Sequence, residues 1–303
     1  MNAAELALRL EGQCQLVVLD SVVSTNDEVV RQALMLVRSE PGQLEGLAGQ
    51  LPLAVIALQQ TAGRGRLGRS WVSPCGGLYL SVMLGLGATA AAVAAAGAAA
   101  VVAPEKLASL SPLVALAVRE ALQGFTSQEI RIKWPNDLLT SHGKLAGILV
   151  ELKPAGSIPG NWGSGEGEQL VVIGMGINVV KPDEGGFEAA AYLDEGAVAH
   201  AWALEDVAGA QPWALEDVAA AVIGALLCKV AAWRAAGGSF AGFAAEYEAC
   251  LAELGQQVCV RNALGDVLAQ GVVQGVDQDA RLLLRDAAGA TVAVAAGEVT
   301  LRQ

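Results

Sequence analysis

The strand-like run Leu53 to Gln59 leads into Gly63-Arg-Gly-Arg-Leu-Gly68-Arg-Ser70. After it come Ser73-Pro-Cys-Gly-Gly77 and a second strand-like run, Leu78 to Leu84. The glycines fit the GxGxxG dinucleotide pattern and, with Arg69-Ser70, nearly fit the P-loop. Both patterns need a helix to open at the loop, because its N-terminus cradles the phosphates. Here a turn and a strand follow instead. A dinucleotide fold also wants an acid about 20 residues on, and the first acid after the loop is Glu105. The P-loop lysine is missing, and Arg69 is no substitute for that compact charge. The loop therefore fits both folds poorly. What remains is a loop between strands carrying Arg64, Arg66 and Arg69 among glycines, suited to a phosphate or carboxylate. The competing reading is a solvated basic loop.

The wider composition sharpens that choice. The 303-residue chain is 53% hydrophobic and 17% charged, with a net charge of −12, against about 25% charged in ordinary domains. Nonspecific DNA binding is disfavoured, yet three arginines cluster in six positions. Ala88 to Ala103 is too rich in Ala and Gly, and ends too soon at Pro104, for a membrane span. Glu5, Arg9 and Glu11 do not suit a signal peptide. A cytoplasmic protein with no membrane partner is expected. Five cysteines lack zinc-like spacing and only two histidines are present, which predicts buried reduced thiols.

Along the chain, Gln15 to Leu19 reads as a strand and Ser24 to Arg38 as a helix. Ser24 or Thr25 would cap it, in a box with Asp27 or Glu28. Two Ala-rich helices follow the Leu78 strand, the second opening with Ser111 as cap and Pro112 at its first position. Ile130 to Trp134 alternates, Lys144 to Leu152 and Leu170 to Val179 are strands, and a Pro/Gly/Ser-rich connection lies between those two. The repeat Trp202 to Ala208 against Trp213 to Ala219 is read as a local accident. From about Gly255, short strands (Gln257 to Val260, Val267 to Val273, Leu282 to Arg285, Thr291 to Ala295) predict a small all-β barrel. The expected domains are 1–254 and 255–303.

A second polar cluster accompanies the loop. Lys133-Trp-Pro-Asn-Asp137 closes a strand and Lys144 opens the next, so a hairpin would gather Asn136, Asp137 and Lys144 at one end of the sheet. Gly174-Met-Gly-Ile-Asn178 ends another strand, with glycines leaving room for a flat ligand. These groups suit ATP and an acid bound together. Ser24-Thr-Asn26, the run Gln60 to Trp71, Lys133 to Asp137, Lys144-Leu-Ala-Gly-Ile-Leu-Val-Glu151 and Gly174 to Asn178 resemble, in order and spacing, the biotin–protein ligases. The resemblance is strong over Leu16 to Val179 and weaker beyond it.

The resemblance implies an α+β fold: a mixed sheet flanked by helices, class II synthetase-like, with a C-terminal SH3-like barrel. It implies a biotin site of Ser24, Thr25, Asn26, Gln60, Gly63, Arg64, Gly65, Arg66 and Lys144. It implies an ATP and adenylate site of Arg64, Arg66, Arg69, Trp71, Asn136, Lys144 and Asn178. Lys144, Arg66 and Asp137 would be catalytic, and Asp137 would hold Mg²⁺ or orient the incoming lysine. The cofactors implied are ATP and Mg²⁺, with biotin as substrate and the carrier domain of acetyl-CoA carboxylase as acceptor. Structural readings compete: helix caps for Ser24 and Thr25, core for Trp71 and Trp134, a turn for Asn136, tight packing for Gly174 and Gly176. With the catalytic part beginning near residue 15, no N-terminal DNA-binding module is expected. Lipoate ligation and adenylate sensing are the rivals, and the oligomeric state stays open, a homodimer included.

Overall fold

The computed structural model describes residues 1–39, 52–86, 102–153, 170–182, 189–196 and 213–301. The first Ala-rich helix, the connection over 154–169 and the first copy of the repeat fall almost wholly outside them.

Seven strands form one sheet: β1 (Gln15–Leu19), β2 (Leu53–Ala57), β5 (Gly77–Gly85), β9 (Leu170–Asn178), β8 (Gly143–Lys153), β7 (Asp137–Thr140) and β6 (Arg131–Lys133), in that spatial order. β1 and β2 are parallel and every other neighbour is antiparallel, so the sheet is mixed. β2 reads Leu-Ala-Val-Ile-Ala without alternation because both faces are covered. Ala54 and Ile56 enter the larger core, beneath α3 (Leu110–Gln123) and α4 (Leu215–Ala235). Leu53 and Val55 meet Val29 and Ala33 of α2 (Thr25–Ser39) on the other side. Each such fully buried Val or Ile contributes about 1.5–3 kcal/mol.

The α2 face changes character along its length, and that change makes the cleft. In β9 the alternating residues Leu170 and Val172 pack under α2, and the next ones on that face are Gly174 and Gly176. In β5 the same face runs from Met83 to Ser81. Grease gives way to glycine and hydroxyl at the N-terminus of α2.

Several expectations need correction. The Gly/Arg segment is a hairpin, β3 (Gln60–Arg64) against β4 (Ser70–Ser73), around a 3-10 turn at Arg66–Gly68. An extra strand, β7, lies between Lys133 and Lys144. α3 starts at Leu110 with Ser109 as its N-cap residue, so Ser111 and Pro112 are inside the first turn, an end that Pro tolerates. Asp27 pairs with Arg64 and Glu28 with Arg31, not with the α2 cap. Cys14, Cys250 and Cys259 are buried and free, but Cys75 and Cys228 are exposed. The second repeat copy opens α4: Asp217 pairs with Arg9 of α1 (Ala3–Arg9) at 2.5 Å, and Glu216 accepts from Asn2 N.

The C-terminal strands form an antiparallel sheet, ordered β13 (Thr291–Val294), β12 (Leu282–Arg285), β11 (Val267–Val276), β10 (Gln257–Arg261) and β14 (Glu298–Leu301). β14 is a fifth strand that the periodicity did not show. This sheet packs on the first: Trp134 Nε1 donates to Ala280 O at 3.0 Å, and Lys106 pairs with Asp279.

Candidate functional site

The cleft lies where the glycine-rich ends of β8 and β9 meet the start of α2, the hairpin, the β6–β7 turn and β14. Its base is a buried relay of amides and hydroxyls. Thr25 N and Oγ1 donate to Gln60 Oε1 at 2.8 and 3.1 Å, and Gln60 Nε2 donates to Ser73 Oγ at 2.9 Å. Ser81 Oγ lies 2.8 Å from Thr25 Oγ1 and 2.6 Å from Asn26 Oδ1. Asn26 Nδ2 donates to Glu151 Oε2 at 2.9 Å. Ser24, Thr25, Asn26, Ser73 and Ser81 are all buried. Polar groups are buried at this density when they have partners and a job of holding shape. Burial pushes the Glu151 carboxyl up, but Asn26, Lys153 and Arg64 outweigh it and hold it below its ordinary value.

The opposite wall carries charge. Lys144 Nζ sits 2.7 Å from Asp137 Oδ2, and Asn136 Nδ2 donates to Asp137 Oδ1 and to Ile148 O, both at 3.0 Å. Arg66 NH1 donates to Asn136 Oδ1 at 2.7 Å, and burial lowers the Arg66 pKa. Arg64 reaches Asp27 at 2.7 Å and Glu151 at 3.3 Å. Arg64, Arg66, Arg69, Lys133 and Lys144 line the cleft, where Asp137 and Glu298 are the carboxylates on its lining and Asp27 and Glu151 reach Arg64 from behind it. An acidic chain has gathered its positive charge where an anion would bind.

Trp71 covers the β8–β9 floor. A Cβ on Gly176 would lie 2.5 Å from Trp71 Nε1, and one on Gly147 would lie 3.0 Å from its Cζ3. Lys144 Nζ is 5.2 Å from the ring centroid, within cation–π range. The Nε1 is buried and has no hydrogen-bond partner among the described residues. The glycines thus make room for protein side chains rather than for an open flat slot. Gly176 admits the indole and Gly174 admits Asn26 Oδ1.

Of the expected residues, Ser24, Thr25, Asn26, Gln60, Arg64, Gly65, Arg66, Arg69, Trp71, Asn136, Asp137 and Lys144 converge on this one cleft. Gly63 and Asn178 do not line it. Gly63 is where the hairpin closes on itself, since a Cβ there would collide with Trp71 O and lie 2.7 Å from Ser73 Oγ. Asn178 Nδ2 donates to Lys144 O at 3.0 Å, steadying the backbone that carries the lysine. Sequence reasoning missed Ser73, Ser81 and Glu298. Ser81, a polar residue inside Leu-Tyr-Leu-Ser-Val-Met-Leu, was a legible signal. Glu298 carried none.

Comparison with known proteins gives this geometry its setting. The Biotin/lipoate A/B protein ligase family matches residues 47–178, and the Biotin protein ligase C terminal domain matches residues 254–302. A biotin–[acetyl-CoA-carboxylase] ligase from Paracoccus denitrificans is 33% identical over 80% of this chain and 88% of its own length. The chain belongs to the biotin protein ligase family. A second biotin–[acetyl-CoA-carboxylase] ligase, from Mycobacterium tuberculosis, is 30% identical over 95% of this ligase and 89% of that protein. The biotin protein ligase from Aquifex aeolicus, in complex with biotin and ATP, superposes with a TM-score of 0.64 at 25% identity, covering 95% of this chain and 99% of that one.

Proposed function

We propose that this ligase joins biotin to a lysine of a biotin carboxyl-carrier domain, that of acetyl-CoA carboxylase, through biotinyl-5′-AMP. One observation carries the reading: a buried amide and hydroxyl relay and a cation-rich wall face one another across a single cleft. The relay suits the ureido ring of biotin, a flat group needing donors and acceptors together. Leaving such a group unpaired costs about 1–3 kcal/mol. Ser24, Thr25, Asn26 and Gln60 supply that end, and Gly65 lets the backbone approach.

In the first step a biotin carboxylate oxygen attacks the α-phosphorus of ATP, a P–O bond forms, and pyrophosphate leaves. Lys144, Arg64 and Arg66 stand where negative charge collects, on the carboxylate and the α-phosphate oxygens. Arg69, Trp71 and Asn136 flank the nucleotide. In the second step the acceptor lysine amine attacks the carbonyl carbon of the mixed anhydride. An amide bond forms, AMP leaves, and the amine gives up a proton. Asp137 can receive or orient that amine, since it already holds an ammonium, Lys144, at 2.7 Å.

Magnesium fits this donor set as a guest of ATP. Among the described residues no three metal-ligating side chains gather, and Mg²⁺ is ordinarily held by one or two carboxylates plus substrate phosphates. Asp137 is the carboxylate that would reach it, and the ion would neutralise phosphate charge. Residues 1–254 are read as the catalytic domain and 255–303 as a separate C-terminal domain. The test is transfer of labelled biotin, with lipoate in parallel, to a purified carrier domain in the presence of ATP. Transfer of lipoate but not biotin would overturn the substrate assignment.

A further inference from the structure

We propose that Glu298, in the C-terminal sheet, is a positioning residue for the arginine hairpin. Arg69 NH1 and NH2 donate to Glu298 Oε1 and Oε2 at 3.0 and 3.1 Å, a bidentate fork between the hairpin and the C-terminal sheet. The partner nearest to Glu298 within its own sheet is Arg261, directly across the β10–β14 ladder. That guanidinium donates to Gly265 O at 2.8 Å. The carboxylate is turned to the hairpin instead. Gly297, just before it, has a φ of +148° and packs against Val260 where a Cβ would collide, which lets β14 start tight against β10.

Arg69 transmits the contact through its backbone. Gly65 N donates to Arg69 O at 2.7 Å, and Arg69 N donates to Arg66 O at 3.2 Å. These two bonds close the turn that carries Arg66. A hold on the Arg69 side chain is therefore a hold on where the Arg66 guanidinium points. Gly297, Glu298 and Val299 also line the cleft, so the C-terminal sheet is one of its walls. Both partners are solvent-accessible, Arg69 at 57% and Glu298 at 41%. The latch is correspondingly weak and sensitive to salt. This role rests on the ligase reading of the cleft.

The test starts with the full chain and no ligand. Hydrogen exchange by mass spectrometry is followed over residues 60–73 in the wild type, in Glu298→Ala, and in the charge swap Arg69→Glu with Glu298→Arg. Glu298→Ala should speed exchange in the hairpin about 1.5- to fivefold while the C-terminal sheet and the melting temperature stay as they are. The swap should restore protection, and added salt should erase the difference between wild type and Glu298→Ala. With biotin and ATP, Glu298→Ala should release more free adenylate per acceptor modified. Unchanged hairpin exchange, faster exchange throughout the C-terminal sheet, or a swap that restores nothing would overturn the latch. If the wild type makes no adenylate, the ligase reading fails, and the exchange result still decides the contact.

Discussion

Arg66 NH1 donates to Asn136 Oδ1 at 2.7 Å on the charged wall of the cleft. The bond docks the hairpin on the β6–β7 turn, and the turn in turn grips β8 through Asn136 Nδ2 and Ile148 O. The arginine is half-buried, and burial lowers its pKa, so it has given up hydration that an adenylate phosphate would repay. Arg66→Gly should fold, still make adenylate, and lose its grip on it. A charged hydrogen bond contributes about 1.5–3 kcal/mol, so free adenylate per acceptor modified should rise about ten- to a hundredfold. Bystander proteins should then be labelled on exposed lysines. A variant that is unstable but keeps the wild-type ratio would make Arg66 a structural residue.

Lys144→Ala should slow adenylate formation by about 10²–10³, as loss of a donor to developing charge does. ATP affinity should fall far less. Single-turnover kinetics with labelled ATP separates the two, and near-normal turnover would remove the lysine from the mechanism.

The two floor glycines should report on different substrates. A Cβ at Gly174 collides with Asn26, and one at Gly176 crowds Trp71 Nε1 at 2.5 Å. Overpacking costs about 1–3 kcal/mol. Gly174→Ala should therefore raise the KM for biotin about five- to 150-fold, and Gly176→Ala the KM for ATP. Equal effects on both substrates from either variant would contradict this division of the cleft.

Glu253 predicts a pH dependence of stability. It is buried, and Trp134 N donates to its Oε2 at 3.4 Å. Burial pushes its carboxyl up to about 7, from an ordinary 4.5, against the help of Trp134 N and Lys133. Between those values the folded state binds more protons than the unfolded one, so stability falls as pH rises through 7. Glu253→Gln mimics the protonated form. It should match the wild type near pH 4 and exceed it near pH 8, by up to about 3 kcal/mol at 1.36 kcal/mol per pKa unit. Denaturant titrations at both pH values check this, and equal stabilities at pH 8 would refute it.

The sheet was legible where one physical rule acted alone. Leu53 to Ala57 and Leu170 to Asn178 announced themselves by apolar runs bounded by glycine or turn residues. The Gly/Arg hairpin was not, because its ladder contains glycines and arginines that no strand propensity favours. It forms because Gly63 lets β3 close on Trp71 and Ser73. Ser24 and Thr25 read as helix caps from local sequence. Only the fold brings Gln60 and Ser81 to Thr25 and turns its hydroxyl into a relay member. Asn178 has a neighbour the motif did not reveal: its Nδ2 donates to the Lys144 backbone carbonyl. Glu298 lies 229 residues from Arg69, a separation over which no periodicity speaks.

In the proposed reaction one cleft activates biotin with ATP before transfer. The most direct measurement incubates the purified chain with biotin, α-labelled ATP and magnesium, without acceptor, and identifies the labelled product by mass spectrometry. The expected products are biotinyl-5′-AMP and pyrophosphate, with the adenylate consumed to AMP and a biotinylated lysine when a carrier domain is added. No adenylate under these conditions, or an adenylate formed with lipoate in place of biotin, would contradict the proposed reaction.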